Sequence, residues 1–428
     1  MRLTRTLLLS LALLEFSTDT LIAETIAITG ATVHTMSAQG TLQNATVIIS
    51  NGRISAVGTA VSIPADARRI NATGKVVTPG LFNSLTQLGI VEVSAVPGTS
   101  DTSSEIDRIT AAFDVADAIN PHSSLIAVNR IEGLTRVVVA PNAGKTVIAG
   151  QGAVIHLGGP GAYLVRDKVA MFAFLGEKGA ELTGGARGAA ILRLREALQD
   201  ATDFAANRRA FESGNRRDYA LSRLDLEALI PIVRGERPLV VSVHRASDIL
   251  ASLRLSREFS LRLILAGAGE GWKVAREIAA AKVPVLINPI HNLPESFEIL
   301  GTTLENAARL HKAGVTIAFM TGDAHNARNI KQSAGSAVAY GLPWNMALAA
   351  ITSVPARIWG LEDRYGTLEQ GKDADVVIWD GDPLEVTTFA DAVFIRGVQM
   401  SMESRQTRLR DRYKDLATPL PPAYSKQP

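Results

Sequence analysis

The sequence contains no cysteine. Disulfides, thiolate metal sites and a cysteine nucleophile are therefore excluded, and any metal would have to be held mainly by His, Asp or Glu. It also lacks a dominant sign of charge: 44 Lys and Arg stand against 42 Asp and Glu, a net +2. Nucleic-acid binding needs a clustered excess of basic residues against phosphate, so that class of partner is set aside. The basic run Arg405 to Lys414 carries Asp411 within it and Glu403 and Asp415 beside it, the pattern of a solvated helix face. Beyond residue 23 no run is apolar over the roughly 20 residues that span a bilayer. No Gly-rich phosphate loop of the usual spacing follows a strand, which tells against an open doubly wound sheet.

What is present is a chain of 428 residues, 46% hydrophobic and 20% charged, enough to bury the core of one large domain and a smaller one. Residues 1–23 have the order of an export signal: Arg2 and Arg5, an apolar Leu7 to Leu14, and Ala23 before the cut. A membrane anchor is the alternative, but the apolar run is too short and Glu15 interrupts it. A mature protein in the periplasm or secreted, with no membrane anchoring after cleavage, is the expectation.

From residue 24 to 77 the chain reads as short strands and turns. Ala27–Met36, Ala45–Ile49 and Arg53–Gly58 are β-prone, and Asn51-Gly52 between two of them is a hairpin signal. The texture returns only after Arg364, in Asp375–Trp379 and Ala392–Ile395 around the turn Asp380-Gly-Asp-Pro383. The middle, residues 78–361, alternates differently. Strand candidates Arg136–Ala140, Val169–Phe174, Leu239–Val243, Arg262–Ala266, Val283–Ile287 and Thr316–Phe319 are interleaved with helical periodicity in Ala246–Phe259, Glu270–Ala281, Leu304–Ala313 and Arg328–Tyr340. Strand–helix alternation implies parallel strands with crossover helices, and about 280 residues suits a (β/α)₈ barrel, for which about 250 is typical. The expected fold is thus α/β: a TIM barrel over residues 78–361. A small discontinuous β-sandwich from residues 24–77 and 362–403 joins it, and residues 404–428 form a helix and a Pro-rich extended tail. Arg187 to Val233, charged and helical, reads as an excursion between barrel strands.

Four segments carry a family resemblance. Lys75-Val-Val-Thr-Pro-Gly-Leu81 resembles the entry strand of the amidohydrolases, where the β-domain hands over to the barrel. Pro355-Ala-Arg-Ile-Trp-Gly-Leu361 and Gly366-Thr-Leu-Glu-Gln-Gly-Lys-Asp-Ala-Asp-Val-Val-Ile-Trp-Asp380 resemble the exit helix and exit signature, and Gly322-Asp-Ala-His-Asn-Ala-Arg328 the end of strand eight. The nearest subgroup is the imidazolonepropionase-like and prolidase-like amidohydrolases. The resemblance implies hydrolysis of C–N bonds by water that one or two divalent ions, zinc first among them, make nucleophilic.

The ligand positions depart from that pattern. Where the family has His-x-His on strand one, this chain has Leu85 and Gln87; Gly267 stands at the strand-six position, and no bridging Lys or Glu can be assigned. His244, in Val241-Ser-Val-His-Arg245, and Asp323 match family ligands, whereas a catalytic zinc usually takes three protein ligands and a water. His291 and His325 fall on the same rim by prediction, so His244, His291, Asp323 and His325 form a candidate metal set, with His244 and Asp323 also the catalytic candidates. Each has a plainer alternative: His244 a hydrogen-bonded relic, Asp323 a helix cap, His325 and His291 surface loop residues. Glu270 beside strand six serves the helix dipole or approaches a ligand amine. Two functions follow. One is an exported hydrolase acting on non-peptide or dipeptide amides, with a metal or with a His244–Asp323 acid–base pair. The other is a non-catalytic relative that binds a small molecule at the rim, favoured by the loss of His-x-His. The partner in either case is a small amide-like molecule, and a homodimer stays open.

Overall fold

A computed structural model describes residues 24–215 and 218–414. The export signal expected at residues 1–23 and the tail expected after residue 416 lie outside the described residues. Two eight-stranded sheets organise the chain. Five strands begin the first: β1 (Ile26–His34), β2 (Thr41–Ser50), β3 (Arg53–Gly58), β4 (Arg68–Asn71) and β5 (Val76–Pro79). The second holds β6 (Leu81–Thr86), β7 (Leu134–Val139), β8 (Ile148–His156), β9 (Leu164–Phe174), β10 (Leu239–Val243), β11 (Leu263–Gly267), β12 (Val285–Ile287) and β13 (Ile317–Phe319). The chain then returns to the first sheet with β14 (Val376–Trp379), β15 (Ala390–Ile395) and β16 (Val398–Gln399).

The first sheet runs β16-β15-β14-β5-β1-β2-β3, with β4 beside β1, so both ends of the chain meet where β14 pairs antiparallel with β5. The β2–β3 hairpin turns at Asn51 and Gly52, whose φ values of 51° and 75° are those of the tight turn that suits the twist of paired strands. Only Gly80 separates β5 from β6, so the chain steps from one sheet directly into the other.

The second sheet follows chain order from β6 to β13 and curls into a nearly closed barrel. The seam between β13 and β6 is bridged at one end by Gly322 N donating to Leu85 O (3.0 Å). Further along, Phe319 N donates to Ala350 O and Phe82 N to Ile351 O. Phe82, Val138, Val154, Phe172, Val240, Ile264, Leu286 and Ala318, one from each strand, pack together as the barrel interior.

One strand differs from the parallel pattern expected. β8 pairs antiparallel with both β7 and β9. The connections 140–147 and 157–163 are too short for the crossover of a dozen or more residues that a parallel strand requires. Helices follow β6 and β9 to β13. α1 (Ser124–Arg130) precedes β7. α2 (Gly176–Leu182), α3 (Arg187–Glu212) and α4 (Arg223–Val233) form the excursion between β9 and β10. α5 (Ala246–Phe259), α6 (Ala275–Ala280) and α7 (Asn306–Lys312) alternate with β10 to β13, and α8 (Ile330–Ala339) follows β13.

Candidate functional site

The expected site lies at the C-terminal ends of the parallel strands, where barrel enzymes carry their chemistry. Val243 ends β10 as a buried apolar residue, and the next residue, His244, turns over the rim. The turn is fixed from both sides: His244 O accepts from Glu270 N (2.9 Å), and the Glu270 carboxylate accepts from Ala246 N (3.0 Å), capping the first turn of α5. Glu270 therefore serves a helix start, that of α5, and its other oxygen takes Lys273 Nζ at 2.5 Å.

The His244 ring lies over β11. A Cβ at Gly267 would sit 2.6 Å from His244 Cε1 and 2.8 Å from Nε2, so the position where the family carries a second histidine is the one that leaves room for this ring. His291 lies edge-on at 6.3 Å between ring centroids. Its Nε2 faces Glu295 at 3.1 Å. His244 Nδ1 is buried without a protein partner. Burial, and secondarily the neighbouring His291, lower the His244 pKa from 6.5 to about 4, so the ring is neutral at ordinary pH. A small cavity of about 40 Å³ opens beside it, lined by His244, Gly267, Gly269, Asn288, His291 and Thr302 among others. Thr302 and Gly269 carry no motif and went unnoticed in the sequence. The only local signal is the paired glycine of Gly267-Ala-Gly269 just past a strand.

Asp323 and His325 are engaged elsewhere. Asp323 Oδ1 accepts from His325 N (2.7 Å) and Oδ2 from Asn326 Nδ2 (3.0 Å), an Asp-capped turn that leads into α8. The carbonyl of His325 accepts from Arg328 Nη1. The four candidate ligands thus do not form one set: His244 and His291 come together, and among the described residues no group of three or more His, Asp or Glu is placed to hold a metal ion. The physical reason is visible in the walls. Leu85, Phe174 and Met320 pack against the barrel interior and bring no donor atom to it. Asn83, buried in β6, spends its amide on Thr321 Oγ1 (2.9 Å) and Ala327 O. With two imidazoles where a catalytic zinc asks for three donors and a water, these residues do not fit the divalent ion that the resemblance implied.

A family model described as "Amidohydrolase family" matches residues 268–402. Amidohydrolase tasK of Hapsidospora irregularis is 25% identical over 392 residues, covering 82% of this chain and 39% of that protein, so the chain spans well under half the length of that relative. Among solved structures, an amidohydrolase from Thermotoga maritima superposes with a TM-score of 0.79 at 28% identity, covering 88% of this chain and 99% of that one. A prolidase complexed with N-methylphosphonate-L-proline superposes at 0.54 and 15% identity, covering 88% of this chain and 99% of that one, a likeness of fold. The barrel with its two-ended sheet, the matched exit segment and these relatives agree in one likeness: in fold, and in sequence over residues 268–402, the chain is similar to the amidohydrolases.

Proposed function

We propose that this chain is an exported hydrolase of C–N bonds in small amides, with His244 as the group that activates water. The observation that carries the proposal is the half-buried, neutral His244 imidazole with its buried Nδ1 free of any protein partner, at the rim where the fold does its chemistry. A neutral imidazole accepts a proton from water as the water oxygen bonds to the acyl carbon. The C–N bond then breaks, and the same proton passes to the departing nitrogen. Asp323 accepts within its own turn, and His291 is the group beside the His244 ring. The loop that carries His291 also exposes Ile290, Leu293, Leu300 and Phe297, the last 86% exposed, which favours amides bearing an apolar substituent.

A second reading has its own support. Leu85, Phe174 and Met320 at the rim suit a binding pocket for a small apolar molecule without chemistry. Both readings are tested on mature protein prepared with and without added zinc, assayed against N-acyl amino acids, dipeptides and cyclic amides, with His244→Ala as control. Turnover that His244→Ala removes and that does not follow metal content supports the hydrolase. Absence of turnover across the panel, with saturable ligand binding retained in both proteins, supports the binding reading. Turnover proportional to bound zinc overturns the metal-free assignment. Export is tested by N-terminal sequencing of the protein recovered outside the cytoplasm, where a chain starting at Glu24 is expected.

A further inference from the structure

We propose that Thr302 is a positioning residue that, together with His244, holds the attacking water, an inference that rests on the hydrolytic reading of His244. Two polar atoms on this rim are buried without a protein partner, His244 Nδ1 and Thr302 Oγ1, and both residues line the same small cavity. Gly269 locates them relative to one another. The point where its Cβ would stand is 2.6 Å from Thr302 Oγ1 and 3.4 Å from His244 Nδ1. The two atoms are therefore at most about 6 Å apart, the span that one water bridges with hydrogen bonds of ~2.8 Å each. The cavity, about 40 Å³, exceeds the ~15 Å³ that a single water needs.

The remaining walls reinforce the assignment. Asn306, another polar lining residue, has both ends of its amide committed, Nδ2 to Ala268 O (3.0 Å) and Oδ1 to Trp272 N (3.1 Å). Thr302 is set in place by its backbone, N donating to Ile299 O (3.0 Å). The turn holding Ile299 is in turn pinned by buried Glu298, whose carboxylate accepts from Glu177 N at the start of α2. The hydroxyl is thus presented by a fixed turn. A threonine hydroxyl donates to the water oxygen while the water donates to Nδ1, which leaves one lone pair of the water free to attack. In the reaction the O–C bond forms, the C–N bond breaks, and the proton taken up at Nδ1 leaves on the amine; Thr302 exchanges no proton and is unchanged at the end.

The test uses Thr302→Val, which keeps shape and loses the hydroxyl, Thr302→Ser as rescue, and Gly269→Ala, which places a methyl group where the water would lie. Crystal structures and ¹⁵N spectra of the His244 ring supply readouts apart from activity. Expected are one ordered water bonded to both side chains in the wild type and in Thr302→Ser, and its loss with a moved Nδ1 resonance in Thr302→Val and Gly269→Ala. In turnover, kcat falls about 10- to 100-fold in Thr302→Val with KM unchanged, and Thr302→Ser restores it. A dry cavity, or a direct Thr302–His244 hydrogen bond, overturns the proposal. So does a Thr302→Val enzyme that keeps wild-type kcat while His244→Ala is inactive, and in that case the hydrolytic reading survives. A bridging water lost in Thr302→Val, in a protein that hydrolyses no amide, upholds the water site and instead defeats the hydrolytic reading.

Discussion

His244 shows how one side chain couples the rim to stability. In the unfolded chain its imidazole titrates near the ordinary 6.5, while in the folded chain the value is about 4. Between those values the unfolded chain binds a proton that the folded chain refuses. The contribution is therefore fully present above pH 6.5 and is lost as the pH falls towards 4, by up to about 3 kcal/mol. Urea unfolding at pH 7.5 and 4.5 should reveal this loss in the wild type and a reduced loss in His244→Gln; equal slopes in the two proteins would remove the buried-imidazole assignment. The same depressed value predicts that the acid limb of the rate profile falls near pH 4, not near 6.5. His244 was legible in the sequence because Val241-Ser-Val-His-Arg245 resembles the family's ligand-bearing strand end. Thr302 was not, because its meaning depends on a turn after β12 approaching one after β11, and no spacing along the chain encodes that. Asp323 offered two roles, and its own backbone two residues on claimed the carboxylate.

At the scale of elements, legibility followed the apolar pattern. Leu239–Val243 and Ala246–Phe259 could be bounded in advance because each shows an uninterrupted period. Glu270–Ala281 divides into a 3₁₀ turn, Gly271–Val274, and the short α6, since Gly271 and the cap that Asn306 gives to Trp272 N tighten its start. β8 escaped notice because Gly150 and Gly152 interrupt its apolar run. The structure supplies their reason. A Cβ at Gly152 would lie 2.5 Å from the Phe172 ring and 2.8 Å from Val139 O, so the strand can seat between β7 and β9 only without a side chain there. Gly152→Val should cost about 1–3 kcal/mol or more by overpacking. Thermal unfolding checks this, and an unchanged midpoint would mean that β8 does not pack as described.

For the whole molecule, the join between the sheets holds a buried ion pair. Arg136 on β7, 1% exposed at its side chain, meets Asp375 just before β14. Its Nη2 donates to Oδ1 (3.1 Å), while Nε lies 2.7 Å from Oδ2 but off the N–H axis. The guanidinium stacks on Tyr365 at 3.5 Å, and Asp375 also accepts from Arg396 N. Arg136→Ala would leave a buried carboxylate uncompensated and should destabilise by about 3–5 kcal/mol. In a double-mutant cycle, Arg136→Met with Asp375→Leu should recover much of that loss, and failure to recover would make packing on Tyr365 the main contribution. The two-ended arrangement itself was legible, because the β texture stops before residue 78 and resumes after Arg364. The pairing partner was not, since Arg136 lies in a barrel strand and carries no local mark of its distant acid.

That arrangement also sets a timetable for synthesis. Thr78 and Trp379, bonded across the β5–β14 border, stand 301 positions apart in the chain. At a translation rate of about 5–20 residues per second, β5 waits roughly 15–60 s for its neighbour to leave the ribosome. Through that interval β5, Val76–Pro79, paired on one side with β1, presents an open edge of buried-type residues, joined by one glycine to the first barrel strand. Holding such an edge apart from other nascent chains is the work of a chaperone, so the yield of folded protein should depend on chaperone supply more than on the stability of the finished molecule.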